Sequence, residues 1–280
     1  MIHNITIGAD PELFIVDHSQ NDKVISSIGL IPGEKGNPYK ADDMPNGFGM
    51  EIDNILGEFN IPPTDNRTSF INNINYMKNY IDNFIKQKNP NYGIQCIASR
   101  IVDDDQLTTP ESQMFGCSVD YNAYTKKANK KPSAKDQNLR SAGLHLHVGY
   151  DFPTTDISLN IVKLLDIYLG IPSVILDPDK KRRKLYGKAG AFRLCKYGVE
   201  YRSLSSYMMS DDNILSLVWD LLVCALYTAI SPDDYDSDKI QYIINNSDVD
   251  LAKEFWAGFK PIQENPRNSR ILKFNTTFEV

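Results

Sequence analysis

The sequence predicts an α+β fold. Several segments alternate apolar and polar residues as strands do, others repeat apolar residues every three or four positions, and the two kinds follow one another without a regular βαβ beat. The chain opens with Ile5 and Ile7, then Leu13 and Ile15, on either side of Gly8-Ala9-Asp10-Pro11. This reads as a strand, and because Pro11 lacks a backbone donor the spot is expected at an edge or a bulge. From Pro32 to Gly49 the chain is rich in glycine and proline and reads as a loop. Met50 to Ile61 reads as strand, stopping at Pro62-Pro63. Arg67 to Lys86 is the clearest helix: Phe70, Ile74, Met77, Ile81, Phe84 and Ile85 fall on one face.

A strand is expected over Gly93–Ser99, then mostly loop from Leu107 to Asn138. That loop includes Lys126-Lys127-Ala128-Asn129-Lys130-Lys131-Pro132, a solvated run or, on a sharper reading, a lid over a phosphorylated ligand. Gly143–Tyr150 and Val199–Leu204 alternate as strands, while Ser158–Leu169 and Asn213–Ile230 read as buried helices. Shorter helical patches follow at Ile240–Ile244 and Val249–Phe259, and a last strand is expected over Arg270–Phe274. No internal repeat and no clean linker interrupts the chain, so residues 1–280 are expected to form a single domain, with the acidic, imidazole and basic motifs over 8–206 and a helical and strand part over 207–280.

The composition is that of a soluble globular protein, with 41% hydrophobic and 24% charged residues among 280. A net charge of −6 disfavours a protein that coats nucleic acid by neutralising phosphates. The question becomes whether some carboxylates are gathered to hold a cation. Cys96, Cys117, Cys195 and Cys224 form no CxxC pair, and the N-terminus lacks a basic segment followed by an apolar core. The apolar stretch Ile214–Ile230 is broken by Ser216, Asp220 and Thr228, which fits a buried helix and not a membrane span. The expectation is a cytoplasmic protein with reduced thiols and no membrane partner.

Four strand-like segments carry acids or imidazoles. Asp10-Pro11-Glu12 places two carboxylates on one face of an extended segment. Glu51, Asp53 and Glu58 lie among apolar neighbours; Glu51 and Glu58, seven apart, take opposite faces of one strand unless a bulge, for which Gly57 is suited, intervenes. His145 and His147 alternate with Leu144, Leu146 and Val148. Glu200 and Arg202 share a face, preceded by the basic, glycine-containing stretch Arg182 to Arg193. Each alone is explained by surface carboxylates, a satisfied core histidine, or a solvated basic loop with a surface ion pair. Together they suggest a site for Mg²⁺ or Mn²⁺ with arginines for phosphoryl transfer, because facing carboxylates repel unless a cation joins them. Neither a P-loop nor a GxGxxG string is present.

Gly8-Ala9-Asp10-Pro11-Glu12-Leu13-Phe14, Gly116-Cys117-Ser118-Val119-Asp120-Tyr121-Asn122-Ala123-Tyr124, Gly143-Leu144-His145-Leu146-His147-Val148-Gly149, and Tyr186-Gly187-Lys188-Ala189-Gly190 through Gly198-Val199-Glu200-Tyr201-Arg202 together resemble the phage-associated carboxylate–amine ligases of the second type. More broadly, the chain resembles ligases with a glutamine-synthetase-like core, among them glutamate–cysteine ligase. The resemblance implies a curved antiparallel sheet flanked by helices, with ATP and its divalent ions on the concave face. It implies metal ligands at Asp10, Glu12, Glu51, Glu58, His145 and Glu200, with Asp53 competing with Glu51. It further implies Arg193 and Arg202 at the transferred phosphate or substrate carboxylate, and nucleotide contacts from Arg183, Lys188, His147 and Arg202. The family core often carries Glu where this chain has Asp10.

The implied reaction is amide formation: ATP phosphorylates a carboxylate, and an amine then attacks the acyl phosphate. Glu51 or Asp120 is expected to take the amine proton. The alternatives are a metal-dependent hydrolase and a non-catalytic nucleotide-binding module of a phage. The expected partners are small-molecule or peptide carboxylates and amines. With five acids (Asp10, Glu12, Glu51, Glu58, Glu200) drawn into a cleft, the other acids and the bases nearly balance, so a nucleic acid remains possible as substrate though not as a general partner. A phage-encoded protein would work in the host cytoplasm.

Overall fold

The computed structural model describes residues 2–114, 119–130, 132 and 138–259. Residues Gly116-Cys117-Ser118, Lys131 and the expected strand Arg270–Phe274 lie outside them. Eleven strands are present among the described residues: β1 (Thr6–Asp17), β2 (Lys23–Ile25), β3 (Gly49–Asp53), β4 (Leu56–Thr64), β5 (Tyr92–Gln95), β6 (Ser99–Ile101), β7 (Tyr121–Asn122), β8 (Leu139–Ser141), β9 (Leu144–Gly149), β10 (Ala191–Cys195) and β11 (Gly198–Tyr201). The helices are α1 (Arg67–Lys86), α2 (Thr155–Leu165), α3 (Ile171–Leu176), α4 (Asp212–Tyr227), α5 (Ser237–Asn246) and α6 (Val249–Ala257). A nine-stranded sheet runs in the order β3-β4-β1-β9-β11-β10-β7, with β2 and β5 joining β1 off this path. Its pairings are antiparallel. The architecture is thus mixed, a large antiparallel sheet with helices, as the sequence predicts.

β1 is the spine of the sheet. Its odd-numbered residues Ile7, Ala9, Leu13 and Ile15 join the main core, together with Phe59 and Ile61 of β4, Leu144, Leu146 and Val148 of β9, and Val199 and Tyr201 of β11. The helices close over this face: Phe70, Ile74, Met77, Ile81 and Ile85 of α1 and Leu215, Val218 and Leu222 of α4 belong to the same core. Each such fully buried side chain contributes about 1.5–3 kcal/mol. The other face changes character along β1. Gly8, Asp10 and Glu12 alternate with the core residues, and Phe14 and Val16 then enter a small second core with Val24, Ile55, Leu56 and Val102. One strand therefore carries a helix-covered face and a face that is polar in its middle, which is the period-two rule at work.

α1 has the bounds the periodicity predicts, with Asn66 as its N-cap accepting from the Ser69 N–H at 3.0 Å. α2, a π-helical turn over Asp166–Gly170, and α3 form one continuous apolar rod from Thr155 to Leu176. It is long and apolar enough to cross a membrane, yet most of its surface is buried inside this fold. Pro172, which has no N–H for the i−4 carbonyl, sits just after the π turn.

Three expectations need correction. Met50–Ile61 is not one strand but a hairpin of β3 and β4, reversing at Asn54, whose φ is 58°. β4 also continues through Pro62-Pro63 to Thr64. Pro11 lies in a central strand and not at an edge; the β1–β4 register shift falls between Ile7 and Ala9, and the pairing of β1 with β9 ends at Pro11–Leu144. In the stretch Arg182–Arg193, for which a solvated loop is the blander alternative, Arg182 and Arg183 are buried, and Ala191–Cys195 forms β10, paired with β11.

Candidate active site

The hairpin settles how Glu51 and Glu58 share a face. Turning at Asn54 sets them directly opposite each other in the β3–β4 register, so no bulge at Gly57 is required. Glu58 is also paired with Glu12 of β1, and Asp10 with His145 of β9, while Glu200 of β11 lies opposite His147. Antiparallel pairing therefore collects acids and imidazoles from five neighbouring strands, β3, β4, β1, β9 and β11, on the face turned away from the helices.

Two buried groups result. In the first, Asp10, His145 and Glu200 each offer an atom within 4.8 Å of the others. His145 Nδ1 is 3.4 Å from Asp10 Oδ1 and 3.8 Å from Glu200 Oε1. His147 Nε2 is 2.9 Å from Asp10 Oδ1, yet neither atom is aligned for a hydrogen bond. Glu200, wholly buried, is gripped by Arg193 Nε at 2.5 Å and by Arg202 Nη1. Burial pushes the Asp10 carboxyl upward, but the two imidazoles, His147 foremost, hold it well below the ordinary range. Burial depresses the His147 imidazole, but Asp10 and then Glu200 together hold it above its ordinary value.

In the second group, Glu12, Asp53 and Glu58 lie within the same 4.8 Å limit. Asp53, and not Glu51, completes this trio. The Glu51 carboxylate instead accepts the Gly36 N–H at 2.8 Å. Glu12 Oε2 accepts from Gly143 N at 2.6 Å. Lys35, on the loop between β2 and β3, extends its Nζ into the trio, 2.5 Å from Asp53 Oδ2 and 2.7 Å from Glu58 Oε2. Burial alone would lower the Lys35 ammonium; Glu58, Asp53 and Glu12 raise it well above its usual value. The Glu58 carboxyl is pushed up by burial, which Lys35 opposes and Asp10, Glu12 and Asp53 reinforce. Like charges this close call for a cation between them.

Two cavities flank these groups along the sheet. A narrow recess of about 20 Å³ is lined by Glu12, Asp120, His145, Arg182, Tyr186 and Arg202, among others. Arg202 Nε is 4.0 Å from Asp120 there. Arg182 donates to the Ala142 and Ser203 carbonyls at 3.1 and 3.0 Å, and burial lowers it to about 10. Gly187 makes room for it, since a Cβ there, at a φ of +72°, would fall 1.7 Å from its Nη1; a Cβ on Gly143 would fall 2.6 Å from His145 Nε2 and 3.1 Å from Arg182 Nη2. On the other side lies a cavity of about 360 Å³ lined by Thr6, Gly8, Asn60, Pro63, His147 and Tyr197, among others. Asn60 Oδ1 is buried without a hydrogen-bond partner.

Of the residues singled out from sequence, Asp10, Glu12, Glu51, Glu58, His145, His147, Glu200, Arg193 and Arg202 meet on this face. Arg183 does not: its guanidinium donates to Ser173 Oγ at 2.8 Å and Ser247 Oγ at 3.3 Å, within the helical layer. Lys188 lies half-buried near Arg183, and both burial and that charge lower its ammonium. Lys126, Lys127 and Lys130 are exposed, as a solvated run would be. Sequence reasoning missed Lys35, Asn60 and Tyr197, and placed Arg182 in a basic stretch without giving it a role of its own. Lys35 sits in a Gly-Glu-Lys-Gly turn within a loop whose only visible signal was its glycines and prolines.

A sheet face with two buried carboxylate groups, imidazoles and arginines has the donor chemistry to hold cations beside anionic groups. Comparison with known proteins narrows this. Residues 134–267 match the family described as phage phiEco32-like COOH.NH2 ligase-type 2, so the resemblance to carboxylate–amine ligases is shown over this part, just under half of the chain. The matched interval carries His145, His147, Arg193, Glu200 and Arg202; Asp10, Glu12, Glu51, Asp53 and Glu58 precede it. Among solved structures, a bifunctional glutathione synthetase from Pasteurella multocida is similar in fold, with a TM-score of 0.53 at 11% identity. The alignment covers 98% of this chain and 47% of that one, so the chain spans about half the length of that enzyme. No curated protein matches.

Proposed function

We propose that the protein is an ATP-dependent carboxylate–amine ligase of glutamine-synthetase-like fold that uses Mg²⁺ or Mn²⁺ and works in the cytoplasm. The observation that carries the proposal is the pairing of two buried carboxylate groups, Asp10–His145–Glu200 and Glu12–Asp53–Glu58, on one face beside Arg193 and Arg202. The donor set suits divalent ions: oxygen-rich, with one imidazole. Asp10 Oδ1 is buried without a hydrogen bond, and the ammonium of Lys35 already stands among the acids of the second group. When bound, such ions would neutralise phosphate charge during phosphoryl transfer.

A carboxylate acylates poorly because its leaving group would be oxide. Transfer of the γ-phosphoryl group of ATP to a carboxylate oxygen yields an acyl phosphate and ADP. An amine nitrogen then attacks the acyl carbon, the C–O bond to phosphate breaks, and an amide and inorganic phosphate result. Arg193 and Arg202 supply fixed positive charge beside the transferred group. Arg182 and Arg202 in the recess hold a substrate carboxylate, and Asp120 beside them accepts the proton that the amine loses. The cavity beside His147 holds the ring of the nucleotide. Glu12 lies four residues beyond Gly8, roughly 13 Å along β1, which suits the reach from that ring to the terminal phosphate.

Incubating the protein with Mg-ATP and pooled carboxylates and amines, while following ADP and product mass, tests the reading. ADP should appear only with both substrate classes present. Turnover of a substrate without ATP would instead support a hydrolase and end the proposal.

A further inference from the structure

The acid trio Glu12–Asp53–Glu58 is filled from within. Its cation is carried on a tight turn, Glu34 to Asn37, whose ends hydrogen-bond each other at 2.8 and 3.2 Å. The base of this turn is fixed. Gly33 has a φ of +93° and packs so closely that a Cβ would fall 2.3 Å from the Met50 carbonyl; Tyr39 and Met50 exchange backbone hydrogen bonds of 2.7 and 3.0 Å. The tip is different. Glu34, Lys35, Gly36 and Asn37 are all exposed, and the tip is tied to the site by polar contacts: Lys35 to Asp53 and Glu58, and the Gly36 N–H to Glu51. A tip held mainly by charge, on a base held by packing, can lift without disturbing the sheet.

We propose that Lys35 is a plug: its ammonium occupies the trio as an internal cation, and a divalent ion entering the trio displaces it and lifts the turn Glu34–Asn37. The charge count gives the direction of the exchange. With all three carboxylates ionised, one ammonium leaves an excess of two negative charges, whereas a divalent ion reduces the excess to one. The plug thus competes with the ion, and it sets how much free ion the site needs before it opens to substrate. The proposal rests on the reading that the trio takes a divalent ion. Its test separates the failure of one from the failure of the other.

Two measurements on the full chain decide it. In the first, Mn²⁺ is titrated into wild type and Lys35→Met by calorimetry and by electron paramagnetic resonance. The substitution should tighten binding at one site by at least tenfold, lower the melting temperature without metal, and enlarge the rise in melting temperature that Mn²⁺ produces. In the second, wild type is acetylated briefly with and without saturating Mn²⁺, and modification of Lys35 is read by peptide mass. Lys35 should react several-fold faster with the metal. This measurement stands even if Lys35→Met does not fold. If Mn²⁺ binds but Lys35 reacts no faster, and Lys35→Met binds no more tightly, the plug is overturned while metal binding survives. If Mn²⁺ binds neither protein, the plug and the metal reading fall together.

Discussion

Asp166 provides a sharp test of the packing beneath the site. It opens the π-helical turn, is fully buried, and lies on the helical side of the sheet, away from the acid groups. Its carboxylate accepts from Tyr201 Oη at 2.8 Å, Tyr124 Oη at 3.0 Å and Gly190 N at 2.5 Å. Burial nonetheless pushes its pKa from 3.8 up to about 7, against the pull of these hydrogen bonds. The folded protein therefore keeps this proton at pH values where the unfolded chain has lost it. The resulting penalty begins near the unfolded value, grows as pH rises toward the folded value, and is constant above it. A shift of this size corresponds to ~4 kcal/mol at high pH. Asp166→Asn does not titrate. Its amide also turns a donor toward Gly190 N–H or a tyrosine, an offset of about 1–3 kcal/mol that does not vary with pH. Guanidinium unfolding of both proteins at pH 5 and pH 8 separates the two effects. The stability of Asp166→Asn relative to wild type should rise by roughly 2–3 kcal/mol between these pH values. A difference that stays flat would refute the burial argument.

The other predictions concern the sheet face. Glu200→Gln should abolish ADP formation and weaken Mn²⁺ binding, and because it leaves Arg193 and Arg202 without their shared carboxylate it should also cost ~2–4 kcal/mol in denaturant unfolding. Gly8→Val should raise the KM for ATP at least tenfold with little change in stability, since a Cβ there meets nothing closer than 3.7 Å while the larger side chain enters the cavity beside His147; an unchanged KM would place the nucleotide ring elsewhere. Arg193→Lys should lower kcat while unfolding stays near wild type, because a point charge does not reproduce the planar guanidinium whose Nε donates to Glu200 and Arg193 is partly exposed. Asn54→Ala should cost ~2–4 kcal/mol in unfolding, since Asn54 holds the hairpin turn at φ 58° and its amide donates to the Glu111, Ser112 and Met114 carbonyls.

What the sequence revealed followed physical periodicity. The apolar stripe of α1 sets its register and both its ends, and the alternation around Asp10 and Glu12, and around His145 and His147, places these side chains opposite the core. What stayed hidden depended on partners distant in the chain. Asn54-Ile55 is not one of the usual two-residue hairpin pairs, so the fold-back that joins Glu51 to Glu58 left little local trace. The burial of Arg182 depends on the carbonyls of Ala142 and Ser203, and that of Arg183 on hydroxyls from Ser173 and Ser247; a run of basic residues carries no sign of either. Lys35 was invisible for the same reason. Its role comes from Asp53 and Glu58 across a turn, not from its neighbours in sequence.

The sheet also explains why there are two acid groups and not one. In an antiparallel pair, residues directly opposite come within about 4.5–5.5 Å, while same-face neighbours along a strand are roughly 7 Å apart. Asp10 with His145 makes one row across the sheet, and Glu12 with Glu58 the next. The spacing of the two groups is therefore the two-residue rise of β1, fixed by backbone geometry and not by side-chain rotamers. Pro11, between them, points to the opposite face; just beyond its pairing with Leu144, the Glu12 N–H donates to the Gly143 carbonyl at 2.9 Å, and the Gly143 N–H donates to Glu12 Oε2 at 2.6 Å. The two acid groups therefore stand about one strand repeat apart along β1. The apolar side chains of the same strands pack under the helical layer, and this packing opposes the repulsion. Within this face the acids are met by Arg193, Arg202, the imidazoles and the inserted Lys35.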